Sequence, residues 1–170
     1  MKEYHELVMI KHPFEPIYDR DSRVLILGTI PSETSRGKGF YYASKSNKFW
    51  NLISDICECP LPETNEKKRE MLLNNHIAVW DVFEKTKIIK SYDSTIKRTN
   101  SSGTDVLSII RNSNIEKIFA NGKKAQEGYE WFDYKITGIP IERLPSSSGL
   151  YTGMTYLEKL KTWSIIRDYI

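Results

Sequence analysis

Cysteine is nearly missing from this chain of 170 residues, which carries only Cys57 and Cys59. A C-x-C pair does not easily bridge itself and supplies half of a four-ligand zinc or iron–sulfur site, so no metal or other cofactor is implied and a reducing cytoplasm fits. Long apolar runs are missing too. Nothing approaches the roughly 20 residues of a membrane span, and the opening MKEYHELVMIKHPFEP lacks the uninterrupted apolar core of a signal peptide. There is no repeat and no low-complexity segment. Charge of one sign is not in excess either: 25 Lys and Arg against 22 Asp and Glu leave a net charge of +3, which permits a polyanionic partner without requiring one. The nucleophile elbow G-x-S-x-G is absent, which argues against an α/β hydrolase acting on a small substrate.

What is present is enough for one domain over residues 1–170: a hydrophobic content of 39% gives a sizeable core at this length but not two well-buried ones. The runs VLILG at 24–28, IAVWDV at 77–82, IEKIFA at 115–120 and IPIERL at 139–144 read as strands. Helical spacing appears between them. Phe49, Trp50, Ile53, Ile56 and Cys57 fall on one helical face, TNEKKREMLLNN reads as a charged surface helix, Thr104 is a candidate N-cap for DVLSIIRNS, and TYLEKLKTWSIIRDYI closes the chain. Strands alternating with helices, without a hairpin signal, predict a three-layer α/β/α fold around a small parallel sheet of about four strands.

Ligands of such sheets bind outside the carboxyl ends of the strands, which directs attention to the segments that follow them. GTIPSETSRGKGFYYASKSNKFW, from Gly28 to Trp50, is too long for a bare connection and too aromatic to be disordered. It carries Arg36, Lys38, Lys45 and Lys48. FEKTKIIKSYDSTIKRTNSSG adds Lys87, Lys90, Lys97 and Arg98, and PSSSGLYTGM adds serines and glycines. Cations, aromatic faces and backbone donors converging on one edge are a means of gripping nucleotides. The alternative for each residue alone is a solvated lysine or a core aromatic.

The first of these segments resembles the first motif of the uracil-DNA glycosylase superfamily, and its GFYY and NKFW are most similar to the hypoxanthine-DNA (deoxyinosine) glycosylase branch. HPFEPIYDRDSRVLILG, IAVWDV and LPSSS extend the likeness over roughly residues 12 to 163. The resemblance implies a monofunctional, base-flipping hydrolase. It would cleave the N-glycosidic bond of a deaminated base in double-stranded DNA, act as a monomer without a cofactor on nucleoid-associated DNA, and leave an abasic site. Uracil or mismatch excision and a catalytically silent DNA-binding module are the alternatives. The lysines of NGKKAQ and TIKRTN read as solvent-facing, so no Schiff-base lyase is implied.

Such a reaction passes through an oxocarbenium-like sugar and needs a held water and a stabilised leaving base, but no covalent nucleophile. The resemblance points to Asn47 as the water-positioning residue, its amide oxygen accepting from the water; the alternative is a helix cap, and both can hold. Asp81 stands where the superfamily often places an asparagine that reads the base edge. There it either donates as a protonated acid or accepts from N1–H of hypoxanthine; the alternative is a carboxylate capping a turn. Gly28, Thr29, Ile30, Phe40, Tyr41 and Tyr42 complete the expected base contacts, with one of the three aromatics expected in the core. Ser32, Ser35, Ser146, Ser147 and Ser148 are expected on phosphates, and Leu150 or Tyr151 as a wedge filling the vacated stack. The chain departs from the branch at Ser44 and Lys45, where His-Pro is common. It also carries Leu144 where other branches place a histidine or asparagine beside the leaving base, which predicts faster release of hypoxanthine than of uracil.

Overall fold

In a computed structural model describing residues 5–170, the strands are β1 (Val8–Lys11), β2 (Val24–Gly28), β3 (Ile77–Asp81), β4 (Phe83–Ile88), β5 (Ser101–Gly103), β6 (Lys117–Asn121) and β7 (Ile141–Leu144). The helices are α1 (Glu33–Lys38), α2 (Phe49–Ile56), α3 (Asn65–Asn74), α4 (Val106–Arg111), α5 (Lys123–Phe132), α6 (Tyr134–Thr137) and α7 (Tyr156–Trp163). No helix among the described residues is long and apolar enough to cross a membrane. The runs read as strands form one parallel sheet of four strands in the order β3-β2-β6-β7.

Alternation along each strand divides the apolar residues between two cores. Val24, Ile26, Ile77, Val79 and Phe119 face α2, α3 and α7, while Leu25, Leu27, Ala78 and Ile118 face α4 and α5. Both faces of β2 are covered, which is why VLILG is an unbroken apolar run. Ile17 exchanges backbone hydrogen bonds with Val79 at 2.9 Å in each direction, so the preceding chain covers the β3 edge.

A second sheet was not visible in the sequence. β1, β4 and β5 pair antiparallel in the order β1-β4-β5. The segment after β3, expected as a loop, is therefore partly strand: β4 begins two residues beyond Asp81 and shows Phe83, Thr86 and Ile88 inward. Its register shifts between Phe83 and Lys85, and that irregularity blurs the period-two pattern. α4 is capped by Asp105, whose carboxylate accepts from Ser108 N at 3.1 Å, and not by Thr104. Thr104 instead turns its hydroxyl inward to the carbonyl of Asp81, at 2.7 Å.

Gly128 marks where α5 meets the second sheet. A Cβ there would lie 2.6 Å from Val82 Cγ2 and 2.7 Å from Phe83 Cζ, both in fully buried side chains. Alanine would gain up to about 1 kcal/mol of helix propensity, but overpacking costs about 1–3 kcal/mol. Gly128→Ala is therefore expected to destabilise the protein by about 1–2 kcal/mol, read as a lowered urea midpoint with unchanged slope.

Candidate active site

The parallel register sets Gly28 beside Asp81, and Asn121 beside Leu144, at the carboxyl ends of the strands. Above them opens a cavity of about 290 Å³ lined by the loops after β2, β3, β4, β6 and β7. Gly28, Thr29, Ile30, Ser32, Ser35, Tyr41, Tyr42, Asn47, Asp81, Ser146, Ser147, Ser148 and Leu150 all reach its wall. Leu150 is exposed on its rim and, with the exposed Tyr151, borders a second cavity of about 520 Å³ shared with Asp93 and the start of α5.

Asp81 is buried and held by His12, a residue of the HPFEP stretch to which no role was assigned from the sequence. His12 Nε2 lies 2.7 Å from Asp81 Oδ2, both side chains almost fully buried. The backbone N–H of Phe14 donates to His12 Nδ1 at 3.1 Å. That nitrogen is an acceptor, so Nε2 carries the proton and donates to the carboxylate. His12 is delivered by β1, whose pairing with β4 continues in the bond from His12 N to Glu84 O at 2.7 Å. The other carboxylate oxygen, Oδ1, faces Gly28: a Cβ at that position would overlap it and would lie 2.6 Å from Tyr42 Oη. Only glycine admits both groups to the cavity floor.

Asn47 serves the fold and the cavity at once. Its Oδ1 accepts from the backbone N–H of Phe49 at 2.9 Å, in the first turn of α2, and from Ser147 Oγ at 2.8 Å. Both acceptor positions of the amide oxygen are filled. The expected contact from amide oxygen to water is thus replaced: the group left for the cavity is Nδ2, a donor. Ser147 in turn accepts from Asn121 Nδ2 at 2.8 Å and gives its backbone N–H to Asn121 Oδ1 at 2.9 Å. The bond from Lys48 N to Ser147 O, 2.9 Å, closes the arrangement. Ser147 is fully buried and committed, which removes it from the serines expected on phosphates.

The aromatic trio separates. Phe40 is buried against Trp50, stacked at 5.8 Å, and does not line the cavity, so it belongs to the core and not to the base contacts. Tyr41 borders the cavity but donates its hydroxyl to Glu15 O at 2.8 Å. Tyr42 stacks on Phe49 at 4.0 Å, and its buried hydroxyl makes no well-formed hydrogen bond among the described residues, the Asn121 side chain being its polar neighbour. Its backbone lies in the left-handed region at φ 51°, uncommon for a bulky residue and costing about 1–3 kcal/mol where it is enforced. Burial foremost, and then the charge of Asp81, push the hydroxyls of both Tyr41 and Tyr42 well above the usual tyrosine range.

Thr29 donates its hydroxyl to Asp93 Oδ2 at 3.0 Å. Asp93, in the turn after β4, was not anticipated as a site residue although it borders both cavities. As a residue it stays partly accessible, but its carboxyl lies deep among protein atoms. Desolvation raises it to about 6, the Thr29 bond and Lys124 oppose this, and Asp81 adds to it.

Other expectations are revised. Ser35 is buried and accepts from Ala43 N at 3.1 Å, while Ser32 caps α1; neither hydroxyl is free for a phosphate. Of the cations assigned to the edge, only Arg36 and Lys90 line the first cavity, and Arg36 donates to Pro31 O at 2.8 Å. Lys87 sits on β4, and Arg98 donates to Trp131 O. Lys124 is not solvent-facing but pairs with Glu127 at 2.5 Å. Leu144 is buried in the core beneath and does not line the cavity, so it neither supports nor withholds a contact to a base there.

A parallel sheet covered by helices on both faces, with a cavity at the carboxyl ends of its strands, defines an α/β protein that takes its ligand at the strand ends. Residues 15–165 match the family described as the uracil DNA glycosylase superfamily, and the chain belongs to it. It is 34% identical over 142 residues to the hypoxanthine DNA glycosylase of Methanosarcina barkeri, covering 83% of this chain and 88% of that protein. It is likewise 34% identical over 144 residues to the hypoxanthine DNA glycosylase of Methanosarcina acetivorans, at the same coverage. A solution NMR structure from Methanosarcina acetivorans, described as a candidate uracil DNA glycosylase, superposes with a TM-score of 0.79 at 30% identity, covering 94% of this chain and 97% of that one.

Removing Ser147 Oγ strips a donor from Asn47 and an acceptor from Asn121. Ser147→Ala is expected to cost about 1–3 kcal/mol of stability and, by freeing the Asn47 amide to rotate, to slow base release about 10-fold or more. Chemical denaturation and single-turnover release from lesion duplexes measure the two effects.

Proposed function

We propose that this glycosylase releases hypoxanthine from double-stranded DNA in preference to uracil, and that the fixed carboxylate of Asp81 is what recognises the damage. Deamination of adenine turns its N1 from an acceptor into an N–H donor, and deamination of cytosine does the same at N3. An acceptor that cannot turn away reads that change. The observation that carries the recognition of a deaminated base is the His12 bond to Asp81 Oδ2, which leaves Oδ1 as an acceptor on the cavity floor with no hydrogen-bond partner among the described residues. Adenine would oppose its N1 lone pair to a carboxylate, leaving buried acceptors unpaired.

In this reading the base lies against Tyr42, whose other face is already covered by Phe49, and Asn47 Nδ2 holds the water below C1′. As the C1′–N9 bond breaks its electron pair stays with the base, the water oxygen bonds C1′, and the proton the water sheds passes to the cavity solvent, leaving an abasic site. Ser146 and Ser148 approach the strand backbone, with Leu150 or Tyr151 filling the gap left by the flipped nucleotide. The purine preference is supported by the 34% identity to the hypoxanthine DNA glycosylase of Methanosarcina barkeri.

End-labelled duplexes carrying one hypoxanthine, uracil, xanthine or mispaired thymine, cleaved with alkali after incubation, are expected to show hypoxanthine released fastest. Faster uracil release would overturn the preference while leaving the glycosylase assignment. Asp81→Asn can keep its oxygen on His12 and turn an amine to the base. It is expected to slow hypoxanthine release about 10- to 100-fold and to narrow the ratio of hypoxanthine to adenine release.

A further inference from the structure

The established class of reaction leaves open which group eases the base's departure. The position expected for it, Leu144, lies in the core. Two carboxyl groups border the cavity instead, and their surroundings differ. Asp81 is held by a histidine donor, at the end of β3. Asp93 stands on the wall formed after β4, joined to the loop after β2 by the Thr29 hydroxyl, and no ion pair among the described residues includes it. Thr29 directly follows Gly28, so Asp93 flanks the floor on which Asp81 Oδ1 stands. Pairs of carboxyl groups held in unlike environments within one cleft divide into a charged partner and an acid.

We propose that Asp93 is the acid of this site: protonated, it donates to N7 of the departing purine. This rests on the hypoxanthine reading given above. As the C1′–N9 bond breaks, its electron pair stays with the base. The Asp93 proton moves to N7, and hypoxanthine leaves as a neutral tautomer. The water oxygen bonds C1′, and the proton that water sheds returns to Asp93 through the cavity solvent. One water is consumed, and the site is restored.

The charged groups around Asp93 are consistent with this role. Asp81 on β3 disfavours its ionisation, while Lys124 on α5 favours it but is engaged with Glu127 and lies over the Trp131 ring at 5.3 Å. Arg36 on α1 donates to Pro31 O. Lys90, Lys123 and Glu127 complete the titratable lining of the two cavities, beside the tyrosines. Desolvation places the carboxyl at about 6, so an appreciable protonated fraction persists toward neutral pH.

The test is single-turnover release of hypoxanthine from a duplex between pH 5 and 9, with binding to an uncleavable 2′-fluoro-deoxyinosine duplex measured in parallel. Wild-type release is expected to fall as pH rises through the Asp93 titration, tending to 10-fold per pH unit. Asp93→Asn can still donate a hydrogen bond but cannot give up a proton. It should lose this pH dependence and be slower by about 100-fold at pH 6, with 2′-fluoro binding within a few-fold of wild type. Thr29→Val removes a bond that favours the ionised carboxyl, so its fall in rate should move to higher pH; this variant decides the matter if Asp93→Asn does not fold. Asp93→Asn with a wild-type pH profile, or within threefold of the wild-type rate, would overturn the role of Asp93 while hypoxanthine release by wild type stands. Absence of hypoxanthine release by wild type would overturn the substrate reading, and the assignment of Asp93 with it.

Discussion

A single buried hydrogen bond, from His12 Nε2 to Asp81 Oδ2, governs how the rest of this molecule is arranged. A carboxylate almost removed from water is costly unless donors meet it, and the nearest strand neighbour, Gly28, brings no side chain. The donor comes from outside the parallel sheet. β1 must therefore pair with β4 across the junction where β3 gives way to the second sheet, and Phe14, turning back beneath, fixes the histidine tautomer through its backbone N–H. Tyr41 packs against both His12 and Phe14 and ties its hydroxyl to Glu15. The loop that carries Tyr42 is thus set by the same short N-terminal segment that sets Asp81.

The parallel sheet was legible because burial on both faces demands continuous apolar runs, and helices on either side make the period change visible. The second sheet was not. β1 is largely exposed, β5 is Ser101–Gly103, and β4 carries a register shift, so none offers a clean alternation. The same blindness misplaced the basic residues: lysines read as one phosphate-facing edge are partly spent along β4. Loop membership alone does not give direction, and direction decides whether a cation meets the cavity.

The polar site was legible in part, for a different reason. Gly28, Asp81 and Asn47 sit in motifs whose spacing carries the resemblance, so their residue types drew attention directly. Their partners did not. Ser147 and Asn47 are 100 residues apart and Asn121 and Ser147 are 26 apart; Thr29 meets Asp93 across 64. Nothing local marks such pairs, because each residue has an ordinary turn or cap role that explains it in isolation. The hydrogen bonds of Asn47 are not written in any local pattern: its oxygen is occupied within the fold by Phe49 N–H and Ser147 Oγ, which leaves its nitrogen as the uncommitted end of the amide.

Once oxygen and nitrogen of one amide divide between stability and chemistry, site geometry and helix α2 become one object, and Tyr42 extends it. Its left-handed backbone is held by stacking on Phe49, the first residue of that helix, so the strain at the cavity wall is offset by packing in the core. Of the cations around the two cavities, Arg36 is turned to a carbonyl and Lys124 to Glu127, while Lys90 lines the first cavity and Lys123 the second. A phosphate backbone drawn onto this rim adds negative charge near Asp93, and like charge disfavours ionisation of a carboxyl. With Asp93 as the proposed acid, arrival of the substrate itself would favour the form that acts on it, while Asp81, receiving its hydrogen bond from His12, keeps its second oxygen at the cavity floor.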